Sequence, residues 1–573
     1  MPSRWAVASL LALFGPPSLV DAELFDAPTP ANFVRRSSMR ATVLGNHVYI
    51  DGGEISQLVD GKLPAWDINP VNSTLSIDLS KSWTSSDVSF RTISKPGPSL
   101  GKATLWTDTA AGRFYTWGGM WSRGLNMTRP RGIWRFDADK SGGGAWSLET
   151  PTNFALFIGL HPGEQGAFAH TNNTGFLIGG LASGWTELGR GPAEALPGMV
   201  TFDMETKIFR NGTTNYSPFD TLVGATAQYI PSYGPNGLIL VLGGHAPLVG
   251  KEYSLDDAPP FDLQNLTFFD PSTKEAYWQE STGDIPPSPR TLFCTVGFQV
   301  PGGGYDIFLF GGSNARDKYE YEDAYVLSLP GFVWTKVPTP PAGPRHSHTC
   351  VSAGNRQVLS IGGLAGDWRT ADTAPQGLLL FDMATMAWKD SYDTNAAAYE
   401  QAEVIKSWYG NGSQERVQWT SDKVKALFVA ASESSPSPTP TPIVSVEPTT
   451  ATSPPVGAIV GGVVGGIAGL AALVAVAWVL LRRRTKNPSY SATPRPQGYD
   501  FVSKEADDDG PAGPYTRIAA AEVDVGSGYS ELLGSARHGG IASGQPAVRP
   551  PAFELDQRAI PRELPAESPW QAR

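Results

Sequence analysis

Six strand-like segments of the chain end in the same way, with two adjacent glycines. They read HVYIDGG, RFYTWGG, TGFLIGG, LILVLGG, DIFLFGG and QVLSIGG, and the first glycines of successive pairs lie 51 to 68 residues apart. Regular self-similarity is typical of folds in which each unit packs on its neighbours. Glycine permits a positive φ or a close backbone approach, so the pairs predict one recurring backbone geometry. The twelve glycines are Gly52, Gly53, Gly118, Gly119, Gly179, Gly180, Gly243, Gly244, Gly311, Gly312, Gly362 and Gly363.

An alternating segment follows each double glycine and ends in an aromatic residue. The six aromatic residues are Trp83, Trp146, Phe209, Trp278, Trp334 and Trp388. Alternation predicts strands, and several sheets of four antiparallel strands packed around an axis form a β-propeller with few free edges. The sequence therefore predicts an all-β, six-bladed propeller over residues 32–393, with these aromatic residues buried between blades. The sequence does not determine which strand closes the ring. One expectation is that NFVRRSS, from Asn32, pairs with the last unit.

These features together resemble kelch repeats, the fold of the galactose-oxidase central domain. The resemblance is densest in EDAYVLSLPGFVW and in PRHSHTCVSAGNRQVLSIGG, which are similar to secreted and membrane-anchored kelch-repeat proteins of filamentous fungi. It covers about residues 32–393 and implies a kelch propeller whose loops on one face receive ligands.

Galactose oxidase supplies the enzyme alternative, a membrane-tethered oxidase or other carbohydrate-active enzyme. Its copper site needs a cysteine cross-linked to a tyrosine, and a second tyrosine followed by a histidine, but this chain has no Tyr-His dipeptide. No catalytic residue, metal ligand or cofactor is therefore assigned, and we expect a non-catalytic protein. The remaining metal candidate is His346 with His348, which strand alternation would place on one side. Two ligands are too few for a site, and the Arg345-x-x-His348 spacing resembles kelch first strands, where it bonds between blades.

The two cysteines of the chain lie in similar segments, PRTLFCTV and PRHSHTCV. Cys294 and Cys350 are therefore expected at corresponding places in the first strands of blades five and six. Neighbouring first strands approach each other near the axis, so a disulfide between them is predicted, with two free thiols as the alternative. His161, His170 and His245 are isolated and are interpreted as structural.

The long loops after the double glycines are the candidate ligand face. The residues proposed for it are Trp66, Trp121, Trp185, Trp368, Arg123, Arg190 and Arg316. Aromatic side chains among charges suit a glycan or an extended peptide. The alternative is that each tryptophan packs its own loop onto the sheets.

The chain ends predict a single-pass type I membrane protein. Residues 1–22 read as a signal peptide, and the uncharged residues 456–481, followed by a basic cluster, read as a transmembrane helix. Gly457, Gly461, Gly465 and Gly469 form a stripe suited to helix pairing, hence a homodimer. Between propeller and membrane lie a short helical segment, 394–431, with helices at Ala396–Trp408 and near residue 425, and a Ser/Thr/Pro-rich stalk, 432–455. Residues 482–573 read as a disordered cytoplasmic tail that offers adaptor sites.

Sequons and charge agree with a propeller outside the cell. N-glycosylation is predicted at Asn72, Asn126, Asn172, Asn211, Asn215, Asn265 and Asn411. The net charge is −11, and the tail carries 12 basic and 12 acidic residues, so the negative charge belongs to the ectodomain and argues against nucleic-acid binding. The expected protein is a plasma-membrane kelch propeller that binds an extracellular protein or a cell-wall glycan.

Overall fold

Antiparallel strands dominate the described chain, and this mostly β structure fits a kelch β-propeller. The computed structural model describes residues 27–64, 68–122, 132–339 and 343–433. The predicted signal peptide, stalk, transmembrane segment and tail lie outside these residues, apart from the first two residues of the stalk, and so do Gly457, Gly461, Gly465 and Gly469. Among the described residues, no helix combines the length and the apolar character needed to cross a membrane.

Six sheets follow one another along the chain, each a meander of four consecutive antiparallel strands. Sheet 1 contains Arg40–Leu44, His47–Asp51, Ser73–Asp78 and Arg91–Ser94. Sheet 2 contains Thr104–Asp108, Arg113–Trp117, Ile133–Ala138 and Gly144–Glu149. Sheet 3 contains Ala167–His170, Thr174–Ile178, Met199–Asp203 and Ile208–Gly212. Sheet 4 contains Thr226–Ile230, Leu238–Leu242, Asn265–Asp270 and Glu275–Glu280.

Sheet 5 gains a fifth strand. It contains Cys294–Gln299, Tyr305–Phe310, Ala324–Leu329 and Val333–Lys336, with Thr282–Gly283 added in parallel to the last of these. Sheet 6 contains Thr349–Ser352, Gln357–Ile361, Leu378–Asp382 and Ala387–Lys389. The second strand of each sheet runs directly into a double glycine, and the third strand begins after the loop that follows.

Short strands cap these sheets. They pair as Phe33–Ser37 with Glu54–Gln57 and Asn69–Pro70, Leu100–Gly101 with Met120–Trp121, Leu181–Ala182 with Glu194–Ala195, Ser313–Asn314 with Tyr319–Glu320, and Trp83–Thr84 with Ser391–Tyr392. The helices are α1 (Phe154–Phe157), α2 (Glu403–Gly410) and α3 (Asp422–Glu433), and 3-10 turns lie at Pro375–Gly377 and Ser413–Arg416. The predicted helix Ala396–Trp408 thus starts later, at Glu403, because residues 396–402 are not helical.

The apolar core lies between sheets. Six clusters of buried side chains are each shared by two consecutive sheets, and one of them joins sheet 6 to sheet 1. The first strands of consecutive sheets are also in contact, including those of sheets 6 and 1. Burial of both faces of each sheet explains why the second strands, such as Leu238–Leu242, are apolar throughout.

A ring of backbone hydrogen bonds runs along the starts of the first strands. One residue in each unit has a positive φ there, and these six are Ser38, Lys102, Gln165, Gly224, Leu292 and Ser347. Five N–H groups of this set donate to the carbonyl of the preceding unit's member at 2.7–2.9 Å. One of these five joins Ser38 to Ser347, and so connects the first unit to the sixth. We call these six residues the backbone ring.

The double glycines make the second repeated contact between units. The second glycine of each pair donates its N–H, at 2.7–3.0 Å, to a carbonyl two residues before the next unit's member of the backbone ring. Both glycines of every pair have a positive φ. At Gly362, a Cβ would stand 2.5 Å from Arg36 O, so a side chain has no room. The Gly363 N–H bonds the same Arg36 carbonyl, which joins sheet 6 to the N-terminal strand.

Two expectations about packing are corrected by the structure. The N-terminal strand Phe33–Ser37 does not join the last sheet; it pairs with Glu54–Gln57 and reaches sheet 6 only through separate hydrogen bonds. Of the six aromatic residues, only Phe209 and Trp334 are fully buried; Trp83, Trp146 and Trp388 are half-buried, and Trp278 of sheet 4 is 54% exposed. Ala276 pairs there with Phe269, as Phe209 pairs with Phe202 in sheet 3, so Trp278 lies two residues beyond the buried position.

Candidate functional site

The loops that follow the double glycines are joined to one another around the whole set of sheets. We call their described residues the loop surface: 54–64, 68–72, 120–122, 132, 181–198, 245–264, 313–323 and 364–377. Hydrogen bonds link every consecutive pair of loops: Ser122 Oγ to Glu54 Oε1, Trp121 N to Trp185 O, Tyr253 N to Ala193 O, Arg316 Nη2 to Leu255 O, Gly366 N to Glu320 Oε2, and Asp372 N to Val34 O in the strand paired with the first loop. A surface held in this way loses little conformational freedom when a ligand binds.

The tryptophans proposed as ligand contacts are not all available on this surface. Trp121 is 4% exposed and packs against Leu100 and Ala103, so it fixes its own loop to the sheets. Trp185 and Trp368 are half-buried. Trp66 and Arg123 lie outside the described residues. For Trp121 the structure therefore agrees with the alternative that the tryptophan is part of the scaffold.

The two described arginines of the proposed face differ in their surroundings. Arg190 is bound by Glu187 and Glu194, with N–O distances of 2.9 and 3.2 Å, and its guanidinium also lies 2.9 Å from the His161 Nδ1. Because Glu187 and Glu194 already pair with the guanidinium of Arg190, its charge is largely neutralised and contributes little to binding a ligand. Arg316 is exposed and donates to the Leu255 carbonyl of the neighbouring loop.

Three exposed apolar side chains on the loop surface were missed by sequence reasoning. Leu188 is 67% exposed, Tyr319 is 55% exposed and Val249 is 48% exposed, and they come from the loops of sheets 3, 5 and 4. The signal in the sequence is a single large apolar residue among glycines and charges, as in ELGRG and LVGKE. Exposed apolar groups on a preorganised surface are typical of protein contact sites.

Beneath the loop surface, buried arginines hold the sheets to the loops. Arg345 donates to Gly362 O at 2.7 Å and to Asp372 Oδ1 at 2.9 Å. The equivalent Arg290 donates to Gly311 O and to Asp323 at 2.8 and 2.7 Å. These side-chain bonds stay within one unit, so the expectation that Arg345 bonds between blades holds only for its backbone, whose carbonyl accepts from Gly312 N and whose N–H donates to Tyr321 O.

The pairing with Arg290 also sets the direction in which the pKa of Asp323 moves. Burial would raise the pKa of this carboxyl, but the hydrogen bond and the charge of Arg290 outweigh burial and lower it. Glu320 behaves in the same way beside His346: burial raises its pKa, and the hydrogen bond from the imidazole lowers it below the ordinary value. The lowered pKa values favour the ionised form of both carboxyl groups, in keeping with a structural role as partners of Arg290 and His346.

His346 and His348 do not follow the alternation of a strand. The strand begins only at Thr349, and Ser347 between the two histidines has a φ of +55°. His346 Nε2 lies 3.3 Å from Glu320 Oε1, whereas the ring of His348 packs edge-on against Phe310 at 5.1 Å. Burial, helped by the charges of Arg345 and His346, holds the pKa of His348 well below its ordinary value, although the Phe310 backbone opposes this.

Cys294 and Cys350 form a disulfide, with their Cα atoms 5.5 Å apart. Their positions do not correspond, because Cys294 pairs with the residue next to its double glycine and Cys350 pairs with a residue one place further away. Successive side chains of a strand point to opposite faces. The offset of one residue therefore turns the two sulfurs toward each other across the gap between sheets 5 and 6. His348 lies beside them, with its ligand nitrogen within 4.8 Å of both sulfurs, but sulfurs joined to each other do not bind a metal as thiolates.

A central cavity of about 1120 Å³ is lined by the first strands of all six sheets. All six residues of the backbone ring line it at the double-glycine end. At the other end, its lining includes exposed hairpin residues such as Thr109, Asn173 and Asn236, which form an entrance. His170 lines the wall, and burial lowers the pKa of its imidazole.

The remaining predicted positions are placed as follows. Every described sequon asparagine is exposed, so each is open to modification: Asn72, Asn172, Asn211, Asn215, Asn265 and Asn411. Asn126 lies outside the described residues. His245 is buried directly after Gly244, and burial with the nearby charge of Arg316 lowers the pKa of its imidazole to about 4.

Repeated antiparallel sheets, double glycines and a linked loop surface define a repeat protein of the β-propeller class. Comparison of the sequence with known proteins gives a relative of the same kind. The chain is 24% identical over 411 residues to a kelch repeat-containing protein of Arthroderma benhamiae, across 64% of this chain and 58% of the relative. No protein-family model matches the chain. The resemblance to kelch-repeat proteins is thereby confirmed, and the match spans less than two thirds of the relative's length.

Proposed function

We propose that the described residues form a closed, six-bladed kelch propeller that works as a non-catalytic binding module. Six sheets, six inter-sheet apolar clusters and six second-glycine hydrogen bonds support the blade count. Closure of the first unit onto the sixth is supported by the bonds of Gly363 N to Arg36 O and of Ser38 N to Ser347 O. Each blade contains strands from one continuous stretch of chain, so closure uses contacts and no exchanged strand.

The binding face in this proposal is the loop surface. The observation that carries it is the set of hydrogen bonds that links every loop to the next, because such a surface is organised before binding. Leu188, Val249 and Tyr319 supply exposed apolar contact area on three consecutive blades. We propose an extracellular protein as the ligand, since exposed apolar groups flanked by charges are typical of protein contacts; a cell-wall glycan is the alternative.

The position of the C-terminal helices supports tethering from the opposite side. Phe428 of α3 packs on Tyr233 and Phe332, which lie in hairpins at the far end of sheets 4 and 5 from the double glycines. The chain then leads from Glu433 toward the proposed stalk and the proposed membrane helix 456–481. In this arrangement the propeller lies outside the cell, and the tail inside the cell is available to an adaptor.

A paired set of variants tests the binding face. The full-length chain would be compared with a loop variant, Leu188→Ser/Val249→Ser/Tyr319→Ser, and with a control, Leu148→Ser/Ile158→Ser/Val404→Ser, which alters equally exposed apolar residues elsewhere. Binding to isolated cell walls is measured before and after treatment with protease or with glycosidase. We expect protease-sensitive binding that falls at least about tenfold, or 1.4 kcal/mol, in the loop variant and is retained in the control.

Several outcomes contradict the proposal. Equal binding by the two triple variants removes the loop surface as the binding face. Glycosidase-sensitive binding that survives protease replaces the protein ligand by a glycan. Release of hydrogen peroxide with sugar or alcohol substrates, together with one bound copper ion per chain, restores the oxidase alternative.

A further inference from the structure

Arg40 is an arginine whose charge the described part of the protein does not neutralise. It begins the first strand of sheet 1, two residues beyond Ser38 of the backbone ring, and it lines the central cavity. Its Nε donates to Ala103 O at 2.6 Å, and its Cζ lies 5.2 Å from the centre of the Phe168 ring. Among the described residues, no carboxylate pairs with this guanidinium, and its two Nη groups make no hydrogen bond.

Three fully buried arginines are satisfied differently. Arg290 and Arg345 each have a carboxylate within 3 Å, at 2.7 and 2.9 Å, and Arg35 donates to three backbone carbonyls. Arg40 is half-buried, and a cation partly removed from bulk water without a counter-charge is costly. Burial lowers the pKa of Arg40 to about 10, and no neighbouring carboxylate acts in the other direction. An anion beside Arg40 would remove this cost.

The cavity around Arg40 is large enough for a ligand and is rich in hydroxyl and amide groups. Its volume of about 1120 Å³ slightly exceeds the range of about 300–1,000 Å³ that is usual for pockets that hold small molecules. Thr42 and Thr107 line it with their hydroxyl oxygens 2.7 Å apart. On the opposite wall, Gln228 donates to the hydroxyl of Thr295 at 2.8 Å. Such groups suit a ligand that carries several hydroxyls of its own.

We propose that the central cavity binds a small hydroxylated carboxylate, of the sugar-acid class, with its carboxylate held in a bidentate pair by Nη1 and Nη2 of Arg40. The planar guanidinium matches the two carboxylate oxygens in spacing, while threonine and glutamine side chains accept and donate to the ligand's hydroxyls. The ligand enters from the hairpin end and reaches Arg40 next to the backbone ring. This site is separate from the loop surface and does not depend on the function proposed for that surface.

Calorimetric titration of the full-length chain tests the site with four probes: glucuronate, its methyl ester, glucose and inorganic phosphate. We expect glucuronate to bind at one site per chain, and the uncharged ester and glucose to bind at least about tenfold more weakly. Arg40→Gln should lose at least about tenfold in affinity for glucuronate. Arg40→Lys keeps the positive charge but lacks the planar guanidinium, so its affinity for glucuronate should lie between those of the unaltered chain and of Arg40→Gln. Arg91→Gln is the matched control, because Arg91 is exposed and faces Asp139 outside the cavity.

The proposal is overturned if glucuronate does not bind, or if Arg40→Gln and Arg40→Lys bind it as tightly as the unaltered chain does. Tighter binding of phosphate than of glucuronate would reassign the site to a different oxyanion. If Arg40→Gln does not fold, the proposal is tested instead with Arg40→Lys, by comparing its affinity for glucuronate with its affinity for the methyl ester. The loop variant Leu188→Ser/Val249→Ser/Tyr319→Ser should bind glucuronate normally, so failure here and failure of the loop-surface proposal are told apart.

Discussion

The two ends of the sheets differ in whether the contacts between neighbouring units recur. At the double-glycine end, every unit makes the same two backbone contacts with its neighbour, one from the second glycine and one, in five of six cases, from the backbone ring. At the hairpin end, each turn has its own length and sequence, and in sheets 4 and 5 the turns are covered by α3. Repetition is therefore enforced where every unit makes the same backbone contacts, and divergence is allowed where a contact between units is particular to one pair, as between Trp83–Thr84 and Ser391–Tyr392.

This difference explains which residues recur. A carbonyl of the next unit approaches each first glycine so closely that a Cβ would lie 2.2 to 2.7 Å from its oxygen. No other residue fits there, so all six units keep glycine. At the hairpin end no such approach is shared, and side chains unique to one unit, such as Tyr233 and Phe332, provide the packing.

The largest expected effect is at the double-glycine end, at the seam between the sixth unit and the first. Gly362→Ala places a methyl group 2.5 Å from Arg36 O and should cost about 4 kcal/mol of unfolding free energy or more. Gly366→Ala is the control, because Gly366 also has a positive φ, +73°, but open space around its Cβ position. It should cost only about 1–2 kcal/mol. If denaturant unfolding gives equal losses of unfolding free energy for the two variants, then the positive φ, and not the close contact with Arg36 O, requires glycine at position 362.

The disulfide offers the next effect, because it locks two first strands beside the central cavity. Cys294→Ala/Cys350→Ala opens a loop of 56 residues and should lower the unfolding free energy by about 4 kcal/mol. Thermal unfolding of the oxidised chain with and without a reductant provides the same comparison without a mutation. A reduced chain as stable as the oxidised one would show that the apolar cluster and the backbone contacts hold sheets 5 and 6 together without the disulfide.

Packing at the hairpin end is expected to matter slightly less. Phe428 is 1% exposed and meets Tyr233, Phe268 and Phe332, so Phe428→Ala should lower the unfolding free energy by about 3 kcal/mol. Val404→Ala in α2 is the control, since Val404 is 54% exposed, and its effect should stay within about 0.5 kcal/mol. A negligible loss for Phe428→Ala would mean that α3 is not held on the sheets in solution.

The double-glycine end should also be sensitive to acid through His245. Its pKa of about 4 in the folded protein is below the ordinary value of about 6.5, so the unfolded chain binds the proton more readily. The contribution of His245 to the unfolding free energy is present in full above about pH 6.5. It is lost as the pH falls toward 4, by up to roughly 3 kcal/mol. His245→Gln should remove this part of the acid sensitivity when unfolding is measured at pH 7 and pH 4. An unchanged difference between the two pH values would refute the assignment.

The smallest effect separates two tryptophans that look alike in the sequence. Trp278→Ala should change the unfolding free energy by about 0.5 kcal/mol or less, because the side chain is 54% exposed. Trp334→Ala should cost about 3–5 kcal/mol, since Trp334 is 1% exposed and its ring N–H bonds Leu263 O at 3.1 Å. Similar losses in the two variants would mean that Trp278 is buried in solution.

Much of the fold could be predicted from the sequence because the double glycines and the alternating strands are local signals. The backbone ring could not, since Ser38, Lys102, Gln165 and Leu292 share a positive φ but no side-chain chemistry. Only Gly224 carries the residue that this conformation favours. The geometry there is imposed by contacts with neighbouring units, which are not visible in any single segment.

The candidate sites were predicted less well, for related reasons. Which side of a strand a residue faces depends on where pairing starts, so the offset between Cys294 and Cys350 and the separate surroundings of His346 and His348 were not foreseen. Arg40 looks ordinary in the sequence, because the absence of a nearby carboxylate among the described residues is a property of the folded interior. Trp121 is excluded as a ligand contact because it is buried, and the exposure of a loop residue depends on tertiary packing.

Native-state amide hydrogen exchange tests the closed six-unit ring most directly. In the proposed closed ring, the N–H groups of Gly363 and Ser38 join the sixth unit to the first, while those of Gly244 and Leu292 make the same bonds between the fourth and fifth. A closed ring predicts equal protection at the two seams, apart from any difference due to the disulfide elsewhere. Rapid exchange at Gly363 and Ser38, with protection retained at Gly244 and Leu292, would contradict closure and would leave an open row of sheets.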